Sequence, residues 1–246
     1  MIPTVTVDQM REIDRLMIEE MEISLLQMME NAGRTLATQA RRLLGDDIRG
    51  RRIVVLAGPG GNGGGGMAAA RRLCNWGADV SVILGRDVGE LHGVPAHQLA
   101  ILRHMGVPVQ DRVHAGPDRS ALGSADLIVD ALIGYSLRGA PREPIASLIR
   151  EANAAGPPIL ALDIPSGLDG DSGAAAEPTI RAAATLTLAL PKVGLLRPAA
   201  RAWVGDAYVA DISVPEAVYR RLGLRVGPLF AQADIVRVAS RDDAVE

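Results

Sequence analysis

The amino-acid sequence predicts an α/β protein with a mostly parallel central sheet and helices on both faces. Two observations carry that expectation. From residue 52 onward, short apolar runs alternate with helix-patterned stretches, the order that right-handed crossovers turn into a covered parallel sheet. The first of these runs is followed by "GPGGNGGGG" (58–66), in which seven of nine residues are glycine. Glycine is costly to order, so such a run marks a place where something lies against bare backbone. No long linker, internal repeat or low-complexity tract interrupts the chain, and residues 1–246 read as a single domain.

Two helices open the chain. Thr6 with Gln9, and Ser24 with Gln27, have capping-box spacing. Met10, Ile13 and Met17 recur at helical spacing behind the first, and Leu25, Met29, Ala32 and Leu36 behind the second. The methionines read as core filler. The segments "RIVVLAG" (52–58), "DVSVILG" (79–85), "ADLIVDALIG" (125–134) and "PILALDIP" (158–165) read as strands, with "TLTLAL" (185–190) and "DAYVAD" (206–211) after them. Helices are expected over 67–76, 96–106 and 143–156.

Composition excludes several classes of function. A net charge of −3 leaves no basic field for nucleic acid or anionic membrane, and six aromatic residues make a poor base-stacking platform. The single cysteine, Cys74, permits no intramolecular disulfide and fits a reducing compartment. The first residues carry Asp8 and Glu12 rather than an apolar leader, and no stretch reaches the roughly 18 apolar residues of a membrane helix. The expected location is the cytoplasm.

In parallel sheets, ligands bind beyond the carboxyl ends of the strands. Three polar segments fall there: the glycine segment, "DALIGYSLRGAP" (130–141) and "DIPSGLDGDSG" (163–173). Gly58-x-Gly60-x-x-Gly63 formally matches a dinucleotide fingerprint, and amides ahead of a helix near Met67 would hold a phosphate. No Lys-Ser/Thr follows, which excludes a Walker loop. Asn62 is the one side chain of the segment able to coordinate or donate. Asp130 and Asp163 each end an apolar strand, where a carboxylate is either escaping to solvent or serving a site. The hydroxyl of Ser166 suits a hard cation. The four histidines (92, 97, 104 and 114) lack metal-ligand spacing, and Arg71 and Arg72 read as solvated surface.

Taken together, "MMENAG" (28–33), "AGPGGNGGGG" (57–66), "VDALIG" (129–134), "LALDIPSGLDGDSG" (160–173) and "PKVGL" (191–195) resemble the NAD(P)H-hydrate epimerase family, the YjeF N-terminal domain. The resemblance runs over roughly residues 4 to 215. It implies a Rossmann-like three-layer fold that interconverts the R and S epimers of hydrated NADH and NADPH, a repair step for damaged nicotinamide cofactors. It implies a potassium ion held by Asn62, Asp130 and Ser166. It also implies substrate contacts from Gly61, Asn62, Gly63, Gly64 and Gly65, from Gly134, Tyr135, Ser136, Leu137, Arg138, Gly139 and Ala140, and from Asp163, the catalytic candidate. The sequence departs from the family pattern where Gly61 replaces an Asn, Gly65 replaces an Asp and Ala184 stands where an Asp is common. Two other readings compete: a non-catalytic relative that binds a nucleotide-like ligand or scaffolds a partner, and an oxidoreductase using Arg86 or Asp87. The partner expected is the small-molecule substrate, with a homodimer open to the chain as an assembly.

Overall fold

In the computed structural model, which describes residues 2–111 and 120–239, capping boxes start both opening helices. Helix α1 runs Val7–Glu19 from Thr6, and α2 runs Leu25–Leu43 from Ser24; each cap side chain accepts the N–H three residues on. The alternation then begins: β1 (Arg52–Ala57), α3 (Gly61–Asn75), β2 (Asp79–Leu84), α4 (Gly93–His104), β3 (Val109–Asp111), α5 (Ser120–Gly123), β4 (Leu127–Ala131), α6 (Ile145–Ala155), β5 (Ile159–Leu162) and β6 (Ala184–Leu188). A short α7 (Arg201–Val204) precedes β7 (Asp206–Ala210), and α8 (Glu216–Arg221) precedes β8 (Ile235–Ala239).

The strands lie in the order β3-β2-β1-β4-β5-β6-β7-β8, parallel throughout except β8, which pairs antiparallel with β7. Period-two alternation sends β1 residues to both faces. Ile53, Val55 and Ala57 pack under α2, α3 and α4, while Val54 and Leu56 pack with Leu148 and Ile149 of α6. The result is the three-layer arrangement the alternation predicts. Among the described residues no helix is long and apolar enough to cross a membrane.

The structure departs from the sequence expectation in several elements. Strands β3 and β8 and the short helices α5, α7 and α8 carry no expectation from the sequence; β3, beside β2, is three residues with no apolar run, and β8, beside β7, is an antiparallel edge. Leu25, set by its spacing on the apolar stripe of α2, is 38% exposed. The largest difference is α3, which begins at Gly61 rather than near Met67. Each glycine in a helix costs about 1 kcal/mol against alanine, so local propensity opposes this start and packing decides it. An added Cβ on Gly64 would lie 2.4 Å from Met29 Sδ, and one on Gly66 would lie 2.5 Å from Ala131 Cβ. Gly33 of α2 faces Ala68 Cβ at the same 2.5 Å. The glycines let α3 settle directly onto α2 and the sheet, and residues 63–66 are buried.

Candidate active site

The carboxyl ends of β1, β4 and β5 open into a cleft of about 520 Å³, walled on another side by α1 and α2. Three structural features meet in it.

The first is the start of α3. Pro59, Gly60, Gly61 and Asn62 line the cleft, and the helical ladder begins only with the Gly64 N–H donating to Gly60 O. The amides of residues 61–63 therefore lie in the unpaired first turn, where the helix dipole adds partial positive charge. Such an end takes a phosphate without any side chain. Gly63, Gly64 and Gly65 do not line the cleft, because all three are inside the helix and buried. Their role is close packing: at Gly65 a Cβ would stand 3.1 Å from Leu162 Cδ2 and 3.6 Å from Ala32 Cβ, and both neighbours line the cleft.

The second feature is Asp163. It follows β5 with φ +67°, a left-handed conformation that Asp tolerates better than most side chains, and is 3% exposed. Its Oδ1 accepts from Lys192 Nζ at 2.5 Å, from the Leu188 N–H at 3.2 Å and from the Thr187 hydroxyl at 3.3 Å. Lys192 is wholly buried and also donates to Leu188 O at 3.0 Å and Thr187 Oγ1 at 3.4 Å. Its backbone is fixed by a parallel bridge to Val5, one residue before the Thr6 cap of α1. Lys192 falls inside the "PKVGL" segment, whose local pattern assigns it no role. A signal was there: Lys192 is the chain's single lysine, and the other 25 of its 26 Lys and Arg residues are arginine.

The third feature joins Tyr135, one of the expected substrate contacts, to Asp14, to which no sequence signal points. The Tyr135 hydroxyl donates a hydrogen bond to Asp14 Oδ2 of α1, and both residues line the cleft. Burial pushes the Asp14 carboxyl above its ordinary value, against the pull of the Tyr135 bond and the Lys192 charge. Burial, and then the Asp14 charge, push the Tyr135 hydroxyl far up.

Beside the cleft floor lies the set Asn62, Asp130 and Ser166. Asp130 is fully buried, and burial raises its carboxyl to about 6. Its Oδ1 accepts from the Ser166 hydroxyl at 2.7 Å and the Leu132 N–H at 3.1 Å, and its Oδ2 from the Ser166 N–H at 2.8 Å. Ser166 Oγ lies 2.9 Å from Ile133 N and 3.2 Å from Ile133 O. A Cβ on the next residue, Gly134, would be 3.4 Å from Asn62 Oδ1 and 3.5 Å from Asp163 Oδ2. The three residues thus gather around the 133–134 turn.

The remaining predicted positions divide. Gly134, Tyr135 and Ser136 line the cleft. Leu137, Gly139 and Ala140 instead border a separate depression with Gly167 and Ala174–Ala176, so the structure does not bring them to Asp163. Arg138 lines neither. Met10, Met28 and Met29, expected as filler, also form cleft wall. Arg71 and Arg72 are not free surface: both pair with Glu30, at 2.5 and 3.3 Å, between α2 and α3. Arg86 reaches the cleft, while Asp87 caps a turn by accepting the Gly89 N–H. His114 lies outside the described residues.

Residues 25–194 match the family model described as YjeF-related protein N-terminus. An NAD(P)H-hydrate epimerase of Dehalogenimonas lykanthroporepellens is 48% identical, over 91% of this chain and 87% of that one. One of Rhodopirellula baltica is 34% identical over 91% and 89%. A bifunctional NAD(P)H-hydrate repair enzyme of Moorella thermoacetica is 36% identical over 86% of this chain but 41% of its own length. The crystal structure of the yeast protein ynu0 superposes with a TM-score of 0.82 at 25% identity, covering 96% of this chain and all of that one.

Proposed function

The chain belongs to the family of the YjeF-related protein N-terminus, and on that premise we propose its reaction. It is an isomerase that interconverts the R and S forms of hydrated NADH and NADPH in nicotinamide cofactor repair. One observation carries the reading: Asp163, paired with a buried lysine, shares its cleft with an unpaired helix N-terminus. The helix start suits the pyrophosphate, and the carboxylate suits a ring that gains positive charge when its hydroxyl leaves. Asp163 Oδ1 is held by Lys192, Thr187 and Leu188, so the carboxylate is oriented before substrate arrives. Its Oδ2 lies over Gly134, where an added Cβ would stand 3.5 Å from it.

The test is an epimerisation assay coupled to a dehydratase specific for the S form, with the spontaneous rate subtracted. A rate well above that background is expected. A rate equal to it, with ADP-ribose still bound, would leave the binding-only reading in its place.

The residues also fit a monovalent cation. Asp130 is a buried carboxylate whose recorded partners are N–H and hydroxyl donors, and Ser166 Oγ and Asn62 Oδ1 add uncharged hard oxygens. Among the described residues no three His, Cys, Asp or Glu side chains gather to hold a metal, and one carboxylate suits one positive charge better than two. Potassium held by Asn62, Asp130 and Ser166 would neutralise Asp130 and brace the 133–134 turn. Asp130→Asn keeps the shape and removes the charge. The expected result is at least a tenfold loss of ADP-ribose affinity for wild type when choline replaces potassium, with the variant insensitive to the exchange. Calorimetric titration in the two salts reads both, and wild-type affinity unchanged by the exchange would dismiss the ion.

A further inference from the structure

Inverting C6 of the hydrated nicotinamide by loss and return of water sets a geometric demand. The hydroxyl departs from one face of the ring, and the new one must arrive on the other. Each event moves a proton, and one fixed carboxylate cannot reach both faces of a bound ring. The cleft contains a second acidic group to meet this demand, on a different element. Asp14 lies on α1 between Met10 and Ile18, each four residues away, and all three line the cleft. It is the one ionisable member of that stripe. A carboxyl on an apolar cleft wall is costly unless it is partnered or used. Here the partner is itself a proton carrier, since the Tyr135 hydroxyl donates to Asp14 Oδ2.

We propose that Asp14 and Tyr135 are a second proton-transfer station for the epimerisation, serving the ring face turned to α1, while Asp163 and Lys192 serve the face turned to the sheet edge. The inference rests on the hydrated nicotinamide being the substrate. In the loss step the C6–O bond breaks, the N1 lone pair forms the N1=C6 bond, and the departing oxygen takes a proton from one station and leaves as water. In the return step water adds to the other face of C6, and the N1=C6 electron pair returns to nitrogen. The added oxygen gives its extra proton to the other station. One proton has crossed from station to station, nothing is oxidised or reduced, and solvent or the reverse turnover resets the pair. Charges facing Asp14 from neighbouring elements are Lys192 and Asp163, and Arg11 faces Tyr135 from α1. The Val5 bridge to Lys192 and the Thr6 cap of α1 tie both stations to one stretch of backbone, which fixes their separation.

The test compares Asp14→Asn, Tyr135→Phe and wild type by three measurements. These are epimerisation above background, incorporation of ¹⁸O from labelled water at C6, and calorimetric binding of ADP-ribose, which lacks the ring. Asp14→Asn is expected to lose about 10²-fold or more in rate, with label exchange falling in step and ADP-ribose affinity within twofold of wild type. Tyr135→Phe leaves the carboxyl in place and should lose less. If wild type is active and Asp14→Asn matches it, the second station is overturned while the epimerase reading stands. A parallel loss of ADP-ribose affinity would also overturn it, by showing that Asp14 only shapes the cleft. If wild type does not exceed background, the reading and the station fall together.

Discussion

Asp163→Asn is expected to lower the epimerisation rate by about 10²–10⁴-fold, the usual contribution of a positioned acid–base group. The carboxylate can exchange a proton and stabilise charge on the ring, whereas an amide of the same shape does neither. The sequence alone suggests that such a variant would keep its fold untouched, but the structure changes that expectation. Oδ1 of Asp163 is the partner of a lysine with no exposed surface. Removing one charge of a buried pair costs about 3–5 kcal/mol because the other is left uncompensated. At this chain length that is roughly 6–20 °C of Tm. A second variant separates the effects. In Asp163→Asn/Lys192→Met both charges are gone, so no uncompensated charge stays buried, and the Asn carboxamide oxygen can still accept from the Leu188 N–H. Thermal unfolding should therefore recover most of the lost Tm while the rate stays down. Recovery of the rate along with Tm would show that Asp163 serves the fold and not the chemistry.

The parts of this site that were legible in the sequence are those set by strand ends. Asp130 and Asp163 close apolar runs, and a parallel sheet sends such residues to one edge whatever the details of the loops. Lys192 and Asp14 were not legible because they reach the cleft through tertiary contacts. One comes through a bridge between Val5 and Lys192, the other on a helix whose sequence reads as an ordinary amphipathic stripe. The Asp14–Tyr135 bond spans 121 residues, a separation to which no local periodicity is sensitive. The glycine segment misled for a related reason. Low helix propensity argued for a loop ahead of Met67, and contacts with α2 and the sheet overrode it. The phosphate-binding expectation narrows to the start of the helix, at Gly61 and Asn62, which line the cleft.

The same contacts reverse a second expectation. If Gly58–Gly66 were a loop wrapped around pyrophosphate, a side chain at Gly63 would harm ligand affinity more than stability. In the structure an added Cβ at Gly63 would stand 1.8 Å from Gly58 O, 2.7 Å from Gly58 C and 2.8 Å from Gly58 N. All three atoms are backbone, so no rotamer change relieves the overlap. The chain at Gly58 cannot retreat either: its N–H bonds to Ala131 O at 3.0 Å, and a Cβ there would overlap Leu132 O. Gly63 is therefore locked against β1, which is locked against β4. Gly63→Ala, the smallest change available, is expected to destabilise the protein by more than about 4 kcal/mol, in the range reserved for severe steric defects. Tm should fall by roughly 8–16 °C or more. Gly60→Ala is the matched control. It lies three residues earlier at the helix cap with φ −98°, and its added Cβ meets nothing within 4 Å. It should unfold within about 1 kcal/mol of wild type, so that any loss of ADP-ribose affinity it shows reports on the cleft alone. Denaturant unfolding of the two variants decides the matter. A Gly63→Ala protein as stable as wild type would mean that the contact between α3 and the β1 turn is looser than these distances require.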